Sequence, residues 1–165
     1  DDYLGLGHID SRTVQRRCRI VVYEMDLPET LSARTSYLLG RAAEEVKALG
    51  ERDLEPLGIT PREYSVLAVL AEHSPVSQTR VGEILGLDRT TTLKLGASLE
   101  RHGLVVRERD ESDRRAYAVA LTPEGDEVRA RALQLLLDCE RRFLESLQPE
   151  ERHELHELLL RITEE

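Results

Sequence analysis

A chain of 165 residues, 40% apolar and 33% charged, is sized for one globular domain or two small lobes sharing a core. No apolar run is long enough to span a bilayer and no leader pattern opens the chain, so a cytoplasmic location without membrane contact is expected; two cysteines, Cys18 and Cys139, give neither a disulfide framework nor metal-ligand spacing. The net charge of −9 excludes a protein that coats nucleic acid over its whole surface, but screening over roughly 8–10 Å leaves a local basic face free to act on its own.

The first thirty residues are irregular. Asp1 to Asp10 is glycine-rich, Arg12, Arg16, Arg17 and Arg19 form a basic stretch, and Ile20-Val21-Val22-Tyr23 is β-prone. Met25, the single methionine, precedes a far more regular pattern. Two readings stay open: a native start at Met25 with an upstream extension, or an arm that docks on a partner subunit. From Leu31 a helical period takes over, with Leu31, Leu38, Leu39, Ala42, Val46 and Leu49 on one stripe. This first helix is expected to end at Gly50 or soon after, with Leu54 to Ile59 as a connector.

Thr60-Pro61-Arg62-Glu63 combines a capping threonine, a proline at the first helical position and a glutamate that completes a capping box. Tyr64, Leu67, Ala68, Leu70 and Ala71 supply the buried face of this second helix, which Ser74 and Pro75 end. A short third helix is expected over residues 77–85, with Val81, Ile84 and Leu85 inward and Gly86 closing it at positive φ. Asp88 caps a fourth helix running to about His102, and Gly103 closes that one. The period then changes: residues 104–109 and 116–121 are strand-like and flank the polar loop Asp110-Glu111-Ser112-Asp113-Arg114-Arg115, a hairpin. Thr122-Pro123-Glu124 opens a long fifth helix whose apolar positions include Val128, Leu133, Leu136, Leu137, Phe143, Leu144 and Leu147. Gln148-Pro149-Glu150-Glu151 starts a sixth, carrying Leu155, Leu158, Leu159 and Ile162.

Two helices joined by a tight glycine turn and followed by a hairpin make a winged helix-turn-helix. The fold class is therefore mainly α with a small β-hairpin wing (α+β). In such a unit the second helix enters the DNA major groove and its N-terminal residues face base edges. Here those are Arg89, Thr90, Thr91, Leu93 and Lys94, with Ser77 at the start of the preceding helix, while Thr92, Leu95 and Leu99 face inward. Arginine and lysine donate to guanine, threonine donates or accepts, and leucine packs on a thymine methyl. The hairpin adds Arg107, Arg109, Arg114 and Arg115, suited to phosphates or the narrow minor groove, with Asp113 placed to orient an arginine. Residues 85–117 hold seven Lys/Arg against six Asp/Glu, so the acidic excess lies elsewhere and a DNA face is not forbidden by charge.

The sequence resembles the MarR (multiple antibiotic resistance regulator) family in Gly58-Ile59-Thr60-Pro61, Val66-Leu67-Ala68-Val69-Leu70, Leu87-Asp88-Arg89-Thr90-Thr91-Thr92 and Leu99-Glu100-Arg101-His102-Gly103-Leu104-Val105. The most specific likeness is Asp113-Arg114-Arg115 followed by Leu121-Thr122-Pro123-Glu124-Gly125. The resemblance implies a homodimer interlocked through its first, fifth and sixth helices. It further implies two lobes on successive major grooves of a pseudopalindrome, and a repressor released by a small ligand. It makes Asp113 and Arg115 the wing's acidic and minor-groove residues. Leu93, Lys94 and Gly96 depart from the family pattern, where a polar residue, an arginine and an aliphatic are common.

The expected organisation is an N-terminal extension or arm over residues 1–30, a helical dimerisation region over 31–59 and 122–165, and a DNA-binding lobe over 60–121. The partners expected are double-stranded DNA, a second copy of the chain and a small-molecule effector, with no cofactor. Arg34, Tyr37 and Arg41, on one face of the first helix, and Tyr64 on the second are the candidate ligand-pocket residues. Two alternatives stand beside this expectation. One is a redox-sensing regulator; Cys18 lies among arginines, but the peroxide-sensing branch of the family carries its cysteine on the first helix. The other is a winged-helix protein–protein module, which the basic residues of the fourth helix and wing argue against. An enzyme is not expected: no convergent catalytic set is found, and His153-Glu154-Leu155-His156 has the wrong histidine spacing for a zinc protease.

Overall fold

The computed structural model describes residues 27–109 and 117–163. Its elements run α1 (Glu29–Ser32), α2 (Thr35–Leu54), a 3-10 turn (Glu55–Leu57), α3 (Pro61–His73), β1 (Val76–Ser77), α4 (Gln78–Leu85), α5 (Arg89–Arg101), β2 (Val105–Arg109), β3 (Tyr117–Leu121), α6 (Pro123–Phe143) and α7 (Pro149–Thr163). They sort into two compact units, Asp1–Gly40 with Arg141–Glu165, and Arg41–Glu140. Residues 1–26 of the extension, with Met25 and Cys18, lie outside the described residues.

In the larger unit the core is a single cluster. Leu54, Leu67, Leu70 and Leu99 are wholly buried, joined by Ile59, Val66, Val69, Val81, Leu104, Val105, Val119 and Ala132. Burying one such leucine is worth about 1.5–3 kcal/mol, so the unit is held chiefly by this cluster. Local chemistry sets where each helix begins. At α3 the capping box is formed: Thr60 Oγ1 accepts from the Glu63 N–H at 3.2 Å, and Glu63 Oε2 accepts from the Thr60 N–H at 2.8 Å. The same carboxylate takes the Thr60 hydroxyl at 3.0 Å, which explains how Glu63 tolerates burial.

The wing is one strand richer than the hairpin expected from sequence. The sheet order is β1-β3-β2, all antiparallel, with Val76 opposite Val119 and Ser77 opposite Ala118. β2 and β3 pair from Val105 with Leu121 to Arg109 with Tyr117. Ser77 is thus not the first residue of a helix: it ends β1 and caps α4, its side chain accepting from the Arg80 N–H at 3.2 Å. A two-residue strand is too short to leave a periodic trace in sequence.

α6 joins the wing through a compact knot. Thr122 Oγ1 accepts from the Gly125 N–H at 2.9 Å and donates to the Gly103 carbonyl at 2.8 Å, while the Thr122 N–H donates to the Leu104 carbonyl at 3.1 Å. Gly125 packs directly on the Leu104 backbone, leaving no room for a Cβ. The end of the first helix falls at the later of the expected positions. α2 passes through Gly50 to Leu54, because Gly50 is buried where a Cβ would meet Leu136 and Pro61 at 3.3 Å. It is a packing glycine, not a terminator.

In the smaller unit, Leu31 belongs to the separate turn α1, and the chain breaks at Ala33 and Arg34 before α2 starts. α6 ends at Phe143, so Leu144 and Leu147 fall in the following turn, not on the fifth helix. The Gln148 N–H donates to Glu151 Oε2 at 2.7 Å at the start of α7. Leu38 and Leu39 of α2 and Leu158, Leu159, Leu160 and Ile162 of α7 stay exposed, Ile162 at 64%. Among the described residues no helix is long and apolar enough to cross a membrane.

Candidate nucleic-acid interface

The site is built on α4, the turn after it and α5. Gly86 takes the left-handed conformation at φ 62°, where a side chain would be strained, and its N–H reaches Glu83 O at 3.3 Å. The Leu87 N–H then donates to Gly82 O at 2.9 Å and turns the chain into α5. Asp88 caps that helix. Its Oδ1 accepts from the Thr91 N–H at 3.0 Å and its Oδ2 from the Thr91 hydroxyl at 2.6 Å. The hydroxyl bond first, and the backbone bond second, hold the Asp88 carboxyl below the ordinary aspartate range. The result is an ionised cap at the positive end of the helix dipole, a favourable arrangement.

Four of the residues predicted to read bases, Arg89, Thr90, Leu93 and Lys94, are exposed on the first two turns of α5. Thr92 and Leu99 are buried, as their spacing predicts, and Leu95 packs against the core. Thr91 stands apart from the other four: it is half-buried and its hydroxyl proton is committed to Asp88. Leu93 is 41% exposed, an apolar contact surface in the middle of a polar apron.

A groove of about 680 Å³ runs beside this apron, bordered by Ser77, Gln78, Thr79, Arg89, Leu93 and Arg107. It brings the start of α4, the start of α5 and β2 to one surface. Arg107 also holds Glu100 of α5, Nε to Oε2 at 3.0 Å, with its side chain 32% exposed. That pair ties β2 to α5. Arg80 and Glu83 make a second pair at 3.0 Å on the outer side of α4, where solvent leaves it little energetic weight. Gln78 and Thr79 were not singled out in the sequence; they join the site only through the packing of α4 against α5. The side chain of Arg109, and Asp113, Arg114 and Arg115, lie outside the described residues.

The candidate pocket residues divide between the two units. Arg34 precedes α2 instead of lying on it, and its carbonyl accepts from the Tyr37 N–H at 3.0 Å. Tyr37 is half-buried, while Arg41 is exposed in the larger unit and Tyr64 packs there against the core. Cys139 on α6 is buried, and α2 contains no cysteine.

The MarR family profile matches residues 57–116, the stretch from the end of the 3-10 turn into the wing. The transcriptional regulator HosA of Escherichia coli O157:H7 is 30% identical over 123 residues, covering 74% of this chain and 90% of that protein. The chain belongs to the MarR family. A Thauera aromatica protein named as a regulatory protein for the hcr operon is 34% identical over 105 residues, 64% of this chain; the match spans 63% of that protein, short of two thirds of its length. Among solved structures, the repressor CouR bound to a 23-mer DNA duplex superposes with a TM-score of 0.77 at 33% identity, covering 82% of this chain and 96% of CouR. CouR of Rhodococcus jostii RHA1 is also known bound to p-coumaroyl-CoA. The MarR-family chain thus carries the winged-helix fold of DNA-binding transcriptional regulators, and the family profile covers α3, β1, α4, the turn, α5 and β2 of it.

Proposed function

We propose that this MarR-family regulator binds duplex DNA as a homodimer on a pseudopalindromic operator, represses transcription by occlusion and is released by a small molecule. The observation that carries the proposal is the exposed apron of Arg89, Thr90, Leu93 and Lys94 on α5, flanked by a groove that Ser77 and Arg107 border. An α-helix presenting donors and an aliphatic at its N-terminal turns matches the pattern of the major groove. Arg107, Arg109, Arg114 and Arg115 then serve phosphates and the minor groove, Asp113 orients the wing arginine, and Thr91 contributes through the cap. Residues 60–121 form the DNA-binding lobe. Residues 31–59 and 122–165 form the dimerisation region, supported by the exposed leucines of α2 and α7 and by Leu137 of α6. CouR, seen with DNA and with p-coumaroyl-CoA, supports a DNA partner and an effector whose preference for one state shifts the equilibrium. Arg34, Tyr37, Arg41 and Tyr64 are the residues proposed to meet that effector. Its work on DNA belongs in the cytoplasm, with no catalytic role.

The test is selection of bound duplexes from a random pool by the purified full chain. An inverted repeat is expected, since two-fold protein symmetry predicts a two-fold site. Recovery of no enriched sequence would refute specific binding, and recovery of a single unrepeated half-site would refute the dimeric docking.

A further inference from the structure

The two helices of the helix-turn-helix interlock at two notches. At Gly82 of α4, a Cβ would lie 2.7 Å from Thr92 Oγ1 of α5. At Gly96 of α5, a Cβ would overlap Gln78 Nε2 of α4 and sit 3.4 Å from its Cδ. The notches are one helical turn apart on both helices, so a glycine faces a polar side chain twice along the seam.

The notches differ in hydrogen bonding. Thr92 Oγ1 donates to the Asp88 carbonyl at 3.0 Å. Gln78 Nε2 is buried and has no hydrogen-bond partner, and among the described residues no other buried side-chain nitrogen or oxygen shares that condition. A buried amide donor left unpaired destabilises the fold that holds it, and such a group in a native structure calls for an explanation. Packing alone does not supply one, because an unbranched apolar side chain of the same length fills the same notch. Gln78 also borders the groove, beside Ser77, Thr79, Arg89 and Leu93. The unpaired donor therefore stands at the margin of the surface assigned above to DNA.

We propose that Gln78 is a positioning residue for DNA docking: seated on Gly96 it sets the seam between α4 and α5, and its amide turns into the groove to gain a hydrogen-bond partner only when duplex occupies it. The inference rests on the DNA-binding reading. A donor unpaired in the free protein and paired in the complex favours the docked arrangement, because only an interaction that differs between two states shifts their balance. The seam through Gly96 carries the same change to α5, whose apron meets the bases.

The test compares the wild-type chain with Gln78→Met, Gly96→Ala and the double variant Gly96→Ala/Gln78→Ala. Thermal melting is recorded for each, along with fluorescence anisotropy on the duplex recovered by selection. Gln78→Met keeps the length and removes the donor. It is expected to melt about 2–4 °C higher, as loss of a buried unpaired group allows in a chain of this size, and to bind at least tenfold more weakly. Gly96→Ala is expected to melt lower and bind more weakly; the double variant, its notch vacated but its amide gone, is expected to regain stability over Gly96→Ala while still binding at least tenfold more weakly than wild type. Wild type binding its duplex while Gln78→Met binds equally well overturns the proposal. So does a Gln78→Met that loses stability and affinity together, the mark of a packing role alone. Should Gln78→Met not fold, a double variant that binds its duplex as tightly as wild type overturns it instead, because that variant has no amide to offer. Wild type binding no duplex above random DNA brings down the DNA-binding reading itself and this inference with it.

Discussion

Replacing Gly125 by alanine adds one methyl group where the structure has none to spare. That carbon would overlap the Leu104 carbonyl oxygen and lie 2.9 Å from the Leu104 carbonyl carbon and 3.3 Å from its Cα, all of them backbone atoms. A flexible side chain can swing aside, but the Leu104 backbone, held next to β2, cannot. α6 must therefore retreat from β2, at an overpacking cost of about 1–3 kcal/mol. The retreat stretches the two bonds that bring Thr122 to the wing, to Gly103 O at 2.8 Å and to Leu104 O at 3.1 Å. Each is worth about 0.5–1.5 kcal/mol net. Alanine returns about 1 kcal/mol through its better helix propensity. The balance is a loss of about 3 kcal/mol, which for a chain this long lowers the melting temperature by about 6–12 °C. Thermal melting followed by circular dichroism at the helix band measures it. A Gly125→Ala protein that melts within about 2 °C of wild type would refute the reasoning, showing that the contact yields without strain.

Three further outcomes are expected. Asp88→Asn keeps a capping acceptor and removes the charge. Because the folded carboxyl titrates below the ordinary aspartate value of 3.8, its contribution is fully present above that value and is lost as pH falls through the lower, folded one. The stability gap between wild type and Asp88→Asn should stay constant from neutral pH down to about 5 and close only in stronger acid; a gap that closes near neutrality would contradict the assignment. Leu158→Glu with Ile162→Glu, both exposed on α7, should convert a dimer to a monomer by light scattering while leaving far-ultraviolet circular dichroism unchanged; an unchanged dimer would remove α7 from the interface. Arg115→Ala should weaken binding to every sequence and reduce the salt slope by about 1, whereas Lys94→Ala should change which bases are selected; equal effects from both would erase the division between phosphate and base contacts.

What the sequence discloses is largely what neighbours in the chain decide. The capping box at Thr60 and Glu63, the left-handed turn at Gly86 and the cap at Asp88 are each settled within a few residues, and each stands as its residue types predict. Exposure of Arg89, Thr90, Leu93 and Lys94 follows from helical spacing once Thr92 and Leu99 are read as inward. What the sequence conceals depends on partners distant along the chain. Gly50 looks like a helix end until Leu136 and Pro61 are seen beside it, and Gly96 looks like a bare departure from the family pattern until Gln78 is found seated on it. Arg107 reads as a DNA-facing side chain alone until Glu100 is seen to hold its Nε and tie it to α5 as well. β1 escapes because two residues cannot show a period, though their pairing with β3 is unambiguous in space.

That two-residue strand has a mechanical meaning. Ser77 is at once the last rung of the ladder with β3 and the cap of α4, and the Arg107–Glu100 pair ties β2 to α5. Both helices of the turn are therefore yoked to the sheet, each through a different strand. A tug on the wing reaches the head of α4 through backbone hydrogen bonds and the body of α5 through an ion pair. The reading helix, its partner helix and the wing are thus coupled as a block, so that a displacement at either strand is felt by both helices.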